Sequence, residues 1–125
     1  ERRIDEVLEL VHLHDNADRK MGEFSKGMIQ RAGLAQAVLH EPRLLILDEP
    51  VSGLDPLAIK EFRDLLQSLS AAGTTILLSS HSISEVERLC RRVGILKDGR
   101  LKRVLVESDW RNGPGLEALF VEAVR

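Results

Sequence analysis

The segment LLILDEPVSGLDP, residues 44–56, constrains the fold more than any other part of the chain. Residues 44–47 form a short apolar run, which predicts a strand that is covered on both faces of a sheet. Asp48 and Glu49 follow this run directly, and a third acid, Asp55, comes shortly afterwards. Because ligands of open α/β sheets bind beyond the carboxyl ends of the strands, the adjacent acids are candidates for a functional site.

The rest of the chain alternates between helical and strand patterns. Ser25 has the residue type of a helix N-cap, and Asp55 followed by a proline predicts another helix start. Ser82 and Glu85 have the spacing of a capping box, and Asp98-Gly99 predicts a hairpin turn. Predicted helices cover residues 2–14, 25–41, 55–72, 82–90 and 116–124, and predicted strands cover residues 44–47, 74–80 and 92–106. The strand–helix–strand order implies parallel strands, and the fold class is therefore α/β, with an antiparallel hairpin at the edge.

The composition limits the possible function classes. The chain has 125 residues, enough for one domain with a modest core, and its net charge of −2 gives no argument for nucleic-acid binding. A single cysteine, Cys90, excludes an internal disulfide framework. No apolar run reaches the roughly 18 residues of a membrane span. Because the chain begins with Glu1 inside a helical pattern, we expect a piece of a longer protein.

Residues that suit phosphate and metal chemistry follow two predicted strands. Asp48 and Glu49 follow the first strand, and Ser79, Ser80 and His81 follow the second. An aspartate at a strand end can hold Mg²⁺ through waters, and a neighbouring glutamate can accept a proton from an attacking water. The simpler alternative is a pair of acids that caps a loop. The extended motif and the serine–histidine end of the next strand favour the functional interpretation.

Four motifs, in this order and spacing, resemble those of the ATP-binding cassette (ABC) transporter ATPases. FSKGMIQR, residues 24–31, resembles the signature motif of the family, and LLILDEP, residues 44–50, resembles its Walker B strand. SGLD, residues 52–55, resembles the D-loop, and LLSSHSISEVERLC, residues 77–90, resembles the segment with the switch histidine. The resemblance covers nearly all of residues 10–125. It implies a partial P-loop NTPase sheet with parallel strands flanked by helices, together with part of a helical subdomain.

The resemblance also implies a role for each matched residue. Asp48 would organise Mg²⁺ through water, Glu49 would be the catalytic base, and His81 would contact the γ-phosphate of ATP. The other matched residues would serve a head-to-tail dimer. The D-loop residues Ser52, Gly53 and Asp55 would lie at the dimer interface. The signature-motif residues Ser25, Lys26 and Gly27 would bind the γ-phosphate of ATP held on the opposite subunit. A helix N-terminus at Ser25 supports the last role, because it favours an anion.

Two residues depart from the usual signature motif of the family. Lys26 stands where the motif has glycine, and Met28 stands where it has glutamine, whereas the serine, the second glycine and the later Gln30-Arg31 agree. The added charge of Lys26 either reaches phosphate or is solvated, and the sequence does not distinguish these alternatives.

The P-loop pattern G-x-x-x-x-G-K-[ST] does not occur in the chain. The backbone and the lysine of this loop hold the phosphates of the nucleotide. In the family this loop precedes the signature motif, so we expect the chain to be the C-terminal half of an ATPase domain that does not hydrolyse ATP alone. Residues 1–41 would belong to the helical subdomain and residues 42–125 to the ATPase core.

The function that the resemblance implies is the ATP-binding and hydrolysing subunit of an ABC transporter. Its cofactors would be ATP and Mg²⁺. Its partners would be a second ATPase subunit and separate transmembrane permease subunits, at the cytoplasmic face of the cell membrane. The alternative is a non-catalytic module, derived from such an ATPase, that binds a partner without hydrolysis.

Overall fold

The order of helices and strands is the one that the sequence indicates, apart from one additional short helix at residues 107–111, in a computed structural model that describes residues 1–125. The helices are α1 (Arg2–Leu10), α2 (Lys26–Val38), α3 (Pro56–Ala71), α4 (Ile83–Leu89), α5 (Glu107–Arg111) and α6 (Leu116–Val124), and the strands are β1 (Leu44–Asp48), β2 (Thr75–Ser79), β3 (Arg92–Lys97) and β4 (Arg100–Val106). The chain folds into two units, Glu1–Ser79 and Ser80–Arg125. The sequence predicts a different division, between a helical subdomain at residues 1–41 and the ATPase core at residues 42–125. This division refers to the subdomains of a whole ATPase domain, and it stays a prediction.

The first unit contains the expected parallel strands. β1 and β2 pair in parallel, with Leu44 opposite Thr75 and Asp48 opposite Ser79, and α3 connects the two strands. This register brings the carboxyl ends of both strands to the same edge.

The prediction that β1 is covered on both faces is wrong for this chain. Leu45 is only 4% exposed, but its neighbours Leu44 and Ile46 are 52% and 67% exposed. Successive side chains of a strand point to opposite faces, so one face of β1 packs into the core and the other does not. Leu77 of β2 is also exposed.

Helix α1 ends earlier than the predicted boundary at residue 14. Its last residue is Leu10, and His12 adopts a left-handed backbone conformation with φ of 59°. The amide of Leu13 then donates to the carbonyl of Leu8 at 2.8 Å, which closes the helix end in the manner usual for a glycine at this position. The sequence pattern missed this end because Leu13 is buried and continues the apolar series.

Two predicted helix starts are confirmed. The hydroxyl of Ser25 accepts a hydrogen bond from the amide of Met28 at 3.2 Å, and Oδ1 of Asp55 accepts one from the amide of Ala58 at 2.8 Å. Each side chain satisfies a backbone donor that the first helical turn leaves free.

The predicted capping box at Ser82 is wrong. Ser82 is the N-cap of α4, but its side chain accepts no bond from the first turn and instead lies 3.3 Å from the hydroxyl of Ser84. Its amide donates to the hydroxyl of Ser80 at 3.0 Å. The local serines therefore compete with the capping geometry that the S-x-x-E spacing favours.

The second unit is built on the predicted hairpin. β3 and β4 pair antiparallel, and the turn residues Asp98 and Gly99 have φ of 51° and 72°, as a type I′ turn requires. Its core contains Ile95, Leu105, Trp110, Leu116 and Leu119.

No helix of the chain has the length and apolar character needed to cross a membrane.

Candidate functional site

The two acids after β1 are joined by a serine at the end of β2. The hydroxyl of Ser79 donates to Oδ1 of Asp48 at 2.6 Å and accepts from the amide of Glu49 at 3.0 Å. The parallel register makes this possible, because Asp48 and Ser79 are direct neighbours. The serine therefore fixes Oδ1 of Asp48, a residue that is exposed, and it orients the backbone of Glu49.

The backbone of Glu49 is in a conformation that residues other than glycine rarely adopt. Its φ is 48°, in the left-handed region. The carbonyl of the next residue, Pro50, accepts a hydrogen bond from Nε2 of Gln30 on α2 at 2.7 Å. The carbonyl of Glu49 accepts one from the amide of Ser52 at 3.2 Å. These bonds and the one from Ser79 hold the peptide groups on both sides of Glu49.

The first turn of α2 lies against the segment that follows Glu49. The ammonium of Lys26 lies so close to Gly53 that a β-carbon there would clash with it, and Gly53 has φ of 74°. A β-carbon on Gly27 would lie 3.1 Å from Cβ of Ala58 at the start of α3. The glycines at both positions therefore allow a close approach between the signature and D-loop motifs of the same chain.

The structure thus brings together several of the predicted site residues within the first unit. Asp48 and Glu49 share Ser79, Lys26 contacts Gly53, and Ser25 and Asp55 cap helices α2 and α3. Ser52 and Gly53 lie on the exposed turn between the acids and α3. His81 is exposed and lies in the second unit, just after β2. The catalytic, phosphate-binding and dimer-contact roles of these residues stay predictions.

A small open cavity of about 120 Å³ adjoins the site between α2, β1 and α3. Its lining includes Gln30, Asp48 and Pro50 together with the apolar side chains of Leu34, Leu47 and Phe62. No group of three or more histidine, cysteine, aspartate or glutamate side chains is placed to hold a metal ion. A metal here would therefore depend on Asp48 and waters, a donor set that suits Mg²⁺ and does not suit Zn²⁺.

Two residues of this site received no role from the sequence. Gln30 was noted only as an agreement with the signature motif, and Ser79 only as a polar residue at a strand end. The signal that identifies Ser79 is its register opposite Asp48, which depends on parallel pairing. No signal in the sequence alone points to Gln30, because its bond to the carbonyl of Pro50 depends on how α2 packs against the segment after β1.

The first unit is an α/β arrangement with two acids at the carboxyl end of a strand, and comparisons with known proteins indicate the family to which the chain belongs. A family model described as "AAA domain, putative AbiEii toxin, Type IV TA system" matches residues 1–87. The bacitracin transport ATP-binding protein BcrA of Bacillus licheniformis is 54% identical over 99 residues, which cover 78% of this chain and 32% of that protein. The ABC transporter ATP-binding protein YcbN of Bacillus subtilis (strain 168) is 44% identical over 124 residues, 98% of this chain and 39% of that protein.

A solved structure extends the agreement to three dimensions. An ATP-binding subunit of an ABC transporter superposes with a TM-score of 0.79 at 38% identity, over 98% of this chain and 53% of that one. The chain therefore belongs to the ABC transporter ATP-binding proteins, and it has part of their P-loop NTPase fold. It spans between 32% and 53% of the length of these three proteins.

Proposed function

We propose that the whole protein containing residues 1–125 is the ATP-hydrolysing subunit of an ABC transporter and that it powers transport through separate membrane subunits. The observation that carries the proposal is the arrangement of Asp48, Ser79 and Glu49 at the carboxyl end of β1. Ligands of open α/β sheets bind at such an edge, and one serine here orients both acids. The ABC transporter ATP-binding proteins among the relatives support the assignment.

In this proposal, Asp48 and Glu49 have different roles in ATP hydrolysis. Asp48 is exposed and only its Oδ1 is bonded to Ser79, so it suits Mg²⁺ held through water, and bound Mg²⁺ would neutralise charge on the phosphates. Glu49 is the proposed general base that takes a proton from the attacking water. His81 is the proposed contact to the γ-phosphate.

The remaining site residues serve a head-to-tail dimer in this proposal. Ser25, Lys26 and Gly27 begin α2, a helix of 13 residues whose N-terminus favours an anion. They bind the γ-phosphate of ATP on the opposite subunit. The exposed turn with Ser52 and Gly53, ending at Asp55, contacts that subunit.

A second part of the proposal concerns what these residues lack. Residues 1–125 contain no G-x-x-x-x-G-K-[ST] segment, so the backbone cradle that holds the phosphates of ATP is not among them. The 125 residues alone therefore do not hydrolyse ATP. The whole protein acts at the inner face of the cell membrane, where its partners are a second ATPase subunit and the permease subunits.

The test is Mg²⁺-dependent ATP hydrolysis by the whole protein, compared with hydrolysis by residues 1–125 alone. We expect activity from the whole protein and none above a protein-free blank from the 125 residues. Asp48→Asn keeps the shape of the side chain and removes its charge, so it should raise the Mg²⁺ concentration that gives half-maximal activity. Asp64→Asn is the matched control, because Asp64 pairs with Lys60 on an exposed face of α3.

Two results would overturn parts of this proposal. Robust hydrolysis by the purified 125 residues would show that they hold ATP productively without a P-loop. A whole protein that binds ATP but never hydrolyses it would instead favour the alternative, a non-catalytic module that binds a partner.

A further inference from the structure

The strained backbone of Glu49 needs an external restraint. Four residues other than glycine have positive φ in this structure, namely His12, Glu41, Glu49 and Asp98, and only Glu49 belongs to the candidate site. Such a conformation costs of the order of the free energy of one hydrogen bond and persists where surrounding structure imposes it. The restraint at Glu49 comes from side chains of two other elements, α2 and β2.

The hydrogen bond from Gln30 connects the segment after Glu49 to helix α2, whereas the bond to Ser79 connects Glu49 itself to the sheet. Nε2 of Gln30 donates to the carbonyl of Pro50 at 2.7 Å in a partly buried position, and Pro50 itself is buried. Proline has no amide hydrogen, so this carbonyl is the only backbone group of residue 50 that can be held by a hydrogen bond. The bond therefore holds the peptide group between Pro50 and Val51, one residue beyond Glu49, while the hydroxyl of Ser79 holds the amide of Glu49 itself.

Two further contacts tie the same helix to the same segment. The ammonium of Lys26 lies beside Gly53, where a β-carbon would clash with it, and a β-carbon on Gly27 would lie 3.1 Å from Cβ of Ala58 at the start of α3. With Gln30, the first two turns of α2 contact the segment from residue 50 to residue 58 at three separate points. The N-terminal turns of α2 and the backbone that follows Glu49 therefore adjoin one another within the first unit.

We propose that Gln30 is a positioning residue for Glu49. It couples the position of the N-terminal turns of α2 to the position of the Glu49 carboxylate within the chain. The inference rests on the proposed function, because Glu49 needs accurate placement only if it acts on water. Gln30 contacts neither nucleotide nor water in this role. Its loss lowers turnover and leaves the affinity for ATP unchanged, since misplacing a reacting group by about 1 Å costs up to about 100-fold in rate.

The experiment compares Gln30→Met with Gln36→Met in the whole protein. Methionine keeps the length of the side chain and removes the donor, and Gln36 is an exposed glutamine on the same helix. We expect Gln30→Met to lower kcat about 10- to 100-fold with KM for ATP within about twofold of the unsubstituted protein. Gln36→Met should change neither constant. Gln30→Glu should be at least as slow as Gln30→Met at neutral pH, because a carboxylate against a carbonyl repels it.

Amide hydrogen exchange without nucleotide measures the positioning itself. The amides of Glu49 and Ser52 take part in the bonds around the strained residue, so their exchange should become about tenfold faster in Gln30→Met and stay unchanged in Gln36→Met. Protection of the amides in α3 should persist, which shows that the variant is folded.

The two measurements separate the possible failures. Unchanged exchange at Glu49 and Ser52 in a folded Gln30→Met variant would overturn the positioning role. Faster exchange with unchanged kcat would also overturn it, because the strained backbone would then not govern turnover. A whole protein without any ATP hydrolysis would refute the proposed function, and the exchange data would still decide whether Gln30 holds Glu49.

Discussion

Ser79 joins the two acids after β1, and the cost of removing its hydroxyl can be worked out from its two hydrogen bonds. The hydroxyl donates to Asp48 at 2.6 Å and accepts from the amide of Glu49 at 3.0 Å. A bond between neutral groups contributes about 1 kcal/mol net, and a bond to a charged group contributes about 1.5–3 kcal/mol. Because Asp48 and Ser79 are exposed, water replaces part of both bonds, and we expect a total of about 2 kcal/mol.

The assay compares Ser79→Val with Ser79→Thr, which have nearly the same shape and differ in the hydroxyl. We expect the free energy of unfolding of the valine variant to be about 2 kcal/mol lower, measured by urea denaturation followed by far-UV circular dichroism. A slope of about 2 kcal/mol per molar urea converts this difference into a midpoint about 1 M lower. Equal midpoints for the two variants would refute the reasoning, because the bonds seen at Ser79 would then contribute nothing.

Three further substitutions and modifications test other parts of the structure. Gly33 lies in the middle of α2, and a β-carbon there would have no atom within 4 Å, so Gly33→Ala should raise the free energy of unfolding by about 0.5–1 kcal/mol. Gly27→Ala should not raise it, because the new β-carbon would meet Ala58. Asp55→Ala removes the cap of α3 and should lower it by about 1 kcal/mol in the same urea assay. Burial raises the pKa of the Cys90 thiol. Iodoacetamide should therefore modify Cys90 more slowly in the native chain than in the urea-unfolded chain near pH 8.5. The free energy of unfolding should also fall as the pH rises past the thiol pKa of the unfolded chain, because the unfolded chain then loses the thiol proton before the folded chain does.

Local chemistry made much of the fold predictable. Ser25 and Asp55 cap their helices as their residue types predict, and Asp98-Gly99 makes the turn that its dipeptide favours. These features depend on a few neighbouring residues, so a single sequence contains them. The prediction for Ser82 failed because nearby serines offered competing hydrogen bonds.

The features that were missed depend on distant parts of the chain. The burial of β1 depends on which faces find a partner, and the apolar run of Leu44 to Leu47 does not encode that. The segment with the strained φ of Glu49 receives a donor from α2, since Gln30 bonds the carbonyl of Pro50, 20 residues further along the chain. The motifs located the two acids, but only the folded chain shows what orients them.

The account depends on one residue above all, since Glu49 is the proposed base. The most direct measurement is the single-turnover rate of ATP hydrolysis by the whole protein carrying Glu49→Gln, beside Glu61→Gln, an exposed glutamate of α3, as the control. We expect a rate about 10²–10⁴-fold lower for Glu49→Gln, with ATP binding retained, and an unchanged rate for Glu61→Gln. Equal rates for the two variants would contradict the assignment of Glu49 as the group that activates water.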